Sequence, residues 1–319
     1  MDTRHALILD LAATQQNVIS AADAALCGVD DAEVDRLCRR GTWTRLRRGL
    51  YHPLSPPSDP AVRLRLDCAA AIRAVDIKDA AIAHLTAGRL WGTKWRTEPT
   101  DDRIWVACDV PKKPRYYPGL RILPAGLPDE HVTLLDGLRV STPARTAVDL
   151  ARHLQFEPGL VAVESLRFQH KITDAEVQAV LDACRGWPHI GRARRTIEFS
   201  TDLSESPLES DTRLAFLRAV VPGYRQQVEV VDALGIVRRI DFLFGLRAGV
   251  ETDGRIKYAS AEDLWKEKRR QDALAEVGIP LLRLTAADIY GDPRMLNRRI
   301  IDHMIRTGDW IEGVGPVHR

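Results

Sequence analysis

The sequence contains no Cys-x-x-Cys pair, and its five cysteines, Cys27, Cys38, Cys68, Cys108 and Cys184, are an odd set. That argues against a disulfide framework and against a cysteine zinc site, and for small buried thiols in a reducing cytosol, so a cytoplasmic protein is expected. There is also no run near the roughly 18 apolar residues that a membrane span needs. The N-terminal run Ala6-Leu7-Ile8-Leu9 stops at Asp10, so neither a membrane partner nor a signal peptide is expected. No fixed-period repeat or low-complexity tract occurs, and no histidine has a ligand spacing, which leaves His84, His153 and His189 as ordinary residues. Gly92-Thr-Lys94 lacks the rest of a phosphate-binding loop, so ATP is not implied.

What is present suits two or three globular domains: 319 residues, 45% hydrophobic and 28% charged. The net charge of +2 hides an asymmetry. Residues 1–195 hold 28 Lys and Arg against 24 Asp and Glu, whereas residues 196–319 hold 18 against 20. Within the first part, Arg36, Arg39, Arg40, Arg45, Arg47 and Arg48 fall in 13 residues that contain no acid. Such a cluster is the electrostatic footprint of a nucleic-acid contact surface.

The first 55 residues predict a helix over about 4–14, a second at about 21–26 started by Ser20 and Asp23, and a turn at Gly28-Val29. Asp30 and Glu33 open a third helix that ends at Gly41. Trp43 to Tyr51 then alternates around Gly49 as a hairpin, with Trp43 and Tyr51 as core. This is the order of a winged helix-turn-helix, domain 1–55. The Pro-rich stretch 52–60 reads as a linker. Residues 61–200 read as an α+β connector domain, with helices at about 61–75 and 78–91, strands near 103–109, 119–124 and 131–140, and helices from Thr142-Pro143, Pro158 and Thr173-Asp174. A polar junction precedes a third domain, 206–319. Its pattern is a helix from Ser206-Pro207, strands 226–231, 236–244 and 249–253, a helix 261–277 ended by Gly278, a strand 279–285 and a helix opened by Asp292-Pro293.

The three-strand stretch places chemistry. With a hairpin centred near residue 246, Asp241 lies opposite Glu251, and directly opposed Cβ atoms are about 4.5–5.5 Å apart. Alternation puts Glu251 and Asp253 on one face, while Ile240, Phe242 and Phe244 face a core. Three acids that close repel unless a cation sits among them, and an all-oxygen set suits a hard ion such as Mg²⁺.

The segment Gly249-Val-Glu-Thr-Asp-Gly-Arg-Ile-Lys-Tyr258, preceded by Arg239-Ile-Asp241, resembles the PD-(D/E)XK nuclease superfamily, and within it Vsr-like domains. The likeness takes in Ser206-Pro-Leu-Glu209, the helix from Leu264 to Leu274 and the strand Pro280 to Thr285, about 206–290 in all. It implies an α/β fold with a central mixed sheet, metal ligands Asp241, Glu251 and Glu209, and Mg²⁺ or Mn²⁺ as cofactor. Asp253 stands where the superfamily usually has Lys; Lys257, four residues on, is the group that would orient water and phosphate. Each has a plainer reading too: Glu209 completes a capping box with Ser206, Asp253-Gly254 is a common turn pair, and Lys257 fits a surface lysine. Lys268, Arg269 and Arg270 are either a DNA-contacting face or a solvated face of i,i+4 pairs. Residues 1–55, with Arg45-Leu-Arg-Arg-Gly-Leu-Tyr51, resemble the winged helix of AbiEi-type abortive-infection antitoxins, and Val140 to Asp149 resembles the linker region of the same chains. The resemblances together imply a DNA-binding protein with a metal-dependent endonuclease domain. The alternative is a repressor or antitoxin whose nuclease fold is inactive, with a cognate toxin or a second copy as further partner.

Overall fold

Local caps start the helices. Ser20 N donates to Asp23 Oδ2 at 2.7 Å while Asp23 N donates to Ser20 Oγ at 3.1 Å, and Asp30 Oδ1 accepts from Glu33 N at 2.8 Å. Asp59, Thr142, Thr173, Ser206 and Asp292 cap later helices in the same way, four of them with Pro in the first turn. Such caps satisfy N–H groups that the first turn leaves without a carbonyl partner. The computed structural model describes residues 3–110, 112–125, 127–170, 172–252, 261–311 and 315–317. Its chain divides into two compact units, Met1–Phe199 and Ser200–Arg319.

The first unit begins with α1 (Thr3–Thr14), β1 (Ile19–Ser20), α2 (Ala21–Leu26), α3 (Asp31–Arg39), β2 (Thr44–Arg47) and β3 (Leu50–His52). The strands form an antiparallel sheet in the order β1-β3-β2, and Gly49 at φ +73° makes the β2–β3 turn. The arrangement is helix-turn-helix-like, with Trp43 and Tyr51 buried among Ile8, Ile19 and Val34, as expected.

The unit continues with α4 (Pro60–Val75), β4 (Ala81–Ile82), α5 (His84–Leu90), β5 (Ile104–Cys108), β6 (Arg115–Tyr117), β7 (Leu120–Pro124), β8 (Val132–Leu135), β9 (Leu138–Ser141), α6 (Pro143–His153), α7 (Phe156–His170), α8 (Asp174–Ala183) and α9 (Ile190–Phe199). Its mixed sheet has the order β6-β7-β5-β4-β9-β8. Every residue of β5 is buried because both faces are covered. Ile104 and Val106 pack towards α4 residues Leu66, Ala69 and Ala70, and Trp105 packs with Ala147, Leu150 and Val163 of α6 and α7. Val18, just before β1, and Leu50 of the central strand β3 share the α4 core. The Pro-rich stretch therefore separates two sheets within one unit.

Two segments depart from the sequence reading. The helix expected at 78–91 is instead a short central strand, β4, followed by α5, because Ala81 and Ile82 pair with Ala107, Val106 and Val140. A short apolar run has no period that distinguishes the two states. The strand expected at 131–140 is a hairpin, turned by Asp136 at φ +50° and Gly137 at φ +79°, the Asp-Gly signature of a type I′ turn. Strand β6 and helix α9 were not anticipated.

The second unit has α10 (Pro207–Ala219), β10 (Tyr224–Val231), β11 (Val237–Phe244), β12 (Ala248–Thr252), α11 (Ala261–Glu276), β13 (Leu281–Leu284), α12 (Ala286–Ile289), α13 (Pro293–Thr307), β14 (Trp310–Ile311) and β15 (Gly315–Pro316). The order β10-β11-β12-β13 is antiparallel until the last pair, which is parallel. A mixed sheet thus forms as expected, with Phe216, Tyr224, Phe242 and Phe244 packed edge-to-face or tilted at 5.1–5.5 Å between centroids. The β11–β12 turn is held by Asp309, which accepts from the N–H of Leu246, Arg247 and Ala248 at 3.0, 2.8 and 2.8 Å. Gly245 beside it is at φ +58°, and a Cβ there would lie 2.6 Å from the Asp309 carboxyl carbon.

Candidate nucleic-acid interface and acidic cluster

The six arginines of the helix-turn-helix-like region fall into three groups. Arg39, Arg40 and Arg48 are exposed and have no ion-pair partner among the described residues. Arg36 and Arg45 are also exposed but contact acids that flank the cluster, Arg36 with Glu33 at 3.3 Å and Arg45 with Asp35 at 2.5 Å. Exposed pairs of this kind contribute about 0–1 kcal/mol, so both guanidiniums can exchange onto a phosphate. Arg47 does not belong with them. Its Nη2 donates to the Gly119 carbonyl at 2.9 Å, and burial pulls its pKa down, which makes it a tether to the β6–β7 turn.

In the second unit, Phe242 pairs with Val250 and Leu243 with Gly249, and Asp241 and Glu251 are the next residues along the two strands beyond the last pair. Their carboxylates are engaged separately, however. Asp241 Oδ2 accepts from the N–H and the hydroxyl of Thr252, both at 2.9 Å. Glu251 is held by both amino groups of Arg270, which also contacts Glu267, itself paired with Arg283. The repulsion expected between facing acids is thus relieved by a guanidinium of the fold. Glu209 is buried, accepting from Ser206 Oγ at 2.8 Å, Glu205 N at 3.0 Å and Gln227 Nε2 at 2.9 Å. Burial pushes its carboxyl above the ordinary range, and the nearby Asp241 charge adds to the rise. Asp253 and Lys257 lie outside the described residues. Among the described residues, no group of three or more His, Cys, Asp or Glu side chains is placed to hold a metal ion. On α11, Lys268 and Arg269 are exposed, with Lys268 Nζ 5.6 Å from the centre of the Trp265 ring. Arg270 is not part of that surface, being committed to Glu251 and Glu267.

A third cluster escaped the sequence reading. Asp149 is fully buried and accepts from Arg145 Nε at 2.8 Å and Arg152 Nη1 at 2.9 Å. Both guanidiniums lie over Trp187, at 4.7 and 4.8 Å. His84, at φ +52°, places Nε2 3.8 Å from the Asp149 carboxylate. Burial pushes the His84 pKa down to about 4 and lowers that of His153 as well. His84, His153 and His189, each unremarkable in sequence, line one cavity of about 420 Å³ together with Trp105, Trp187 and Arg121. Only the fold unites them: β4 leads into His84, β5 carries Trp105, β7 carries Arg121 and α6 carries His153.

Residues 6–52 match the family model described as a transcriptional regulator, AbiEi antitoxin, and residues 81–199 match the AbiEi antitoxin C-terminal domain. The chain carries both AbiEi antitoxin domains. They lie wholly within the first compact unit. Two proteins of Mycobacterium tuberculosis are similar to this chain: uncharacterized protein MT2308 of strain CDC 1551 / Oshkosh and uncharacterized protein Rv2248 of strain ATCC 25618 / H37Rv. Each is 26% identical over 174 residues, 54% of this chain and 64% of the relative. The chain thus spans somewhat less than two thirds of the length of these relatives. The crystal structure of the RV2827C protein from Mycobacterium tuberculosis is similar at a TM-score of 0.43 and 17% identity, covering 67% of this chain and 82% of that one. No helix among the described residues is long and apolar enough to cross a membrane.

Proposed function

We propose that this protein is a DNA-binding transcriptional repressor of the antitoxin type, acting on duplex DNA through its helix-turn-helix-like region and on a cognate toxin as protein partner. One observation carries the reading: the stretch that matches the AbiEi transcriptional regulator presents Arg39, Arg40 and Arg48, on helix and wing, exposed and with no acid partner among the described residues. Cations so placed neutralise phosphates and release counterions, the usual source of sequence-independent affinity. Base reading would fall to α3, the second helix of the pair. The test is binding of the full chain to the promoter of its own gene, against an unrelated duplex, by fluorescence anisotropy at several salt concentrations. Equal affinity for both duplexes at every salt concentration would overturn the repressor reading.

A second reading, a nuclease domain at 206–319, is favoured by the register that leaves Asp241 and Glu251 as the next residues beyond the last β11–β12 pair and by the closeness of Asp241 to Glu209 felt in the Glu209 pKa. It is separated from the first by incubating supercoiled, mismatched and single-stranded DNA with the chain in Mg²⁺ or Mn²⁺. Cleavage that disappears in Asp241→Asn supports the nuclease; intact DNA supports the repressor.

A further inference from the structure

The wing and the second AbiEi domain meet at one turn. Arg47 of β2 spends a partly buried guanidinium on the carbonyl of Gly119, in the turn that joins β6 to β7, so the stretch before that turn is held beside the exposed Arg48. That stretch is basic: residues 110–128 contain Lys112, Lys113, Arg115 and Arg121 and neither Asp nor Glu. Lys112, Lys113, Arg115, Tyr116 and Tyr117 are all exposed. Lys112, Lys113 and Arg115 have no ion-pair partner among the described residues. Asp79 and Asp109 act on Cys108 together with Arg115, but Asp79 accepts from the Asp109 N–H at 3.2 Å and neither acid pairs with the guanidinium among the described residues.

The sheet register sorts these side chains by face, because directly opposed residues of an antiparallel pair project to the same side. Arg115 is opposite Ile122 and Tyr117 opposite Leu120, and both partners lie in the core that α4 shares with Leu50 of the wing. Arg115 and Tyr117 therefore stand on the wing's side of the sheet. Tyr116 is opposite Arg121, whose guanidinium covers Trp105 at 3.9 Å, and faces the other way. As β6 is an edge strand, lysine and proline there guard against edge-to-edge pairing. That duty explains Lys112, Lys113, Pro114 and Pro118. It does not call for an arginine and a half-exposed tyrosine on the face the wing shares, nor for a wing arginine committed to holding the turn. The backbone of a duplex matches all three, since phosphates take contacts from Lys, Arg and Tyr side chains, and continuity with Arg48 puts them along one stretch of DNA.

We propose that the edge strand β6 of the second AbiEi domain, with Lys112, Lys113, Arg115 and Tyr117, is a second contact to the backbone of duplex DNA, continuing the surface that begins at the wing. This rests on the DNA-binding reading and names a further part of its interface. Contacts to phosphate carry no sequence information, so their loss should weaken the promoter and an unrelated duplex alike. The full chain and its variants are titrated with both duplexes by fluorescence anisotropy at several salt concentrations, and the promoter complex is footprinted with hydroxyl radicals at saturation. Lys112→Ala, Lys113→Ala and Arg115→Ala together should flatten the slope of log K against log salt by up to about 2.7. The same variant should lose part of the protected backbone and keep the rest, with the ratio of promoter to unrelated affinity unchanged. Tyr116→Ala, on the opposite face, should behave as wild type. Should the triple variant fail to fold by circular dichroism, Arg115→Gln by itself should flatten the slope by about 0.9. A wild-type slope and footprint in the folded variant overturn this inference while leaving the DNA-binding reading intact, and assign β6 to a protein partner. No binding of either duplex by the wild-type chain overturns both. A loss in Tyr116→Ala as large as in the triple variant overturns the inference too, as does a single strand that binds more tightly than the duplex and loses that preference in Tyr117→Ala.

Discussion

Arg270 of α11 donates to both carboxylate oxygens of Glu251 on β12, so the acid that lies, like Asp241, just beyond the last β11–β12 pair has its counter-charge supplied by the chain itself. The pair is largely but not fully shielded, with side-chain exposures of 20% and 13%. Among the described residues, Arg270→Ala leaves Glu251 without a cation and Glu267 with Arg283 alone. Placed between exposed pairs and fully buried ones, the loss is expected at about 2 kcal/mol by urea unfolding. Millimolar Mg²⁺ should leave the wild-type melting temperature unchanged. A metal-dependent rise that Asp241→Asn abolishes would support the nuclease reading instead.

DNA binding should depend steeply on salt, with the three arginines of the six that are unpaired among the described residues, Arg39, Arg40 and Arg48, as the first contributors. Each phosphate contact contributes a slope of about −0.9 in log K against log salt. Arg39, Arg40 and Arg48 changed together to Ala should flatten the slope by up to about 2.7 on that basis and weaken all sequences alike. Arg47→Ala should keep the slope and lower the melting temperature, because its loss removes the bond to Gly119. A flattened slope in Arg47→Ala with unchanged stability would reassign that residue to the interface.

Acid should destabilise the first unit through His84. Its pKa is about 4 in the folded chain and about 6.5 when unfolded, so between those values the unfolded state binds a proton that the folded state does not. Stability is complete above pH 6.5 and falls as pH drops towards 4, by on the order of 3 kcal/mol. The groups around it are Asp149, which favours the proton, and His153, Arg152 and Arg145, which oppose it. His84→Asn, a residue that tolerates positive φ, should flatten the urea midpoint between pH 7 and 4.5. A pH profile identical to wild type would show that His84 titrates normally.

Asp309→Ala should loosen the second unit. Three N–H groups in the β11–β12 turn lose their acceptor, at about 1 kcal/mol or more each. Asp309→Asn keeps an acceptor oxygen and should lose less. If Ala and Asn behave alike in urea unfolding, the carboxylate does not hold the turn.

Much of this was legible along the chain. The capping pairs Ser20/Asp23, Asp30/Glu33 and Thr173/Glu176 fall where the sequence places helix starts, and the hairpin centre near 246 holds in the register of Phe242 with Val250. What the sequence did not show shares a cause. Ala81 and Ile82 are strand only because β5 and β9 flank them, and Arg47 differs from Arg48 only because the Gly119 carbonyl comes within reach of it.

By itself the sequence determined where helices begin, where hairpins turn and which stretches are rich in arginine or acid, since caps, turn residues and period-2 alternation act over a few residues. The tertiary structure alone decided which charges meet solvent and which meet each other. Arg270 finds Glu251 across 19 residues and Arg47 finds Gly119 across 72. The cavity draws its histidines, tryptophans and arginines from segments between His84 and His189. No local pattern encodes such distances, because burial and pairing arise only when the sheet and helices close around those side chains.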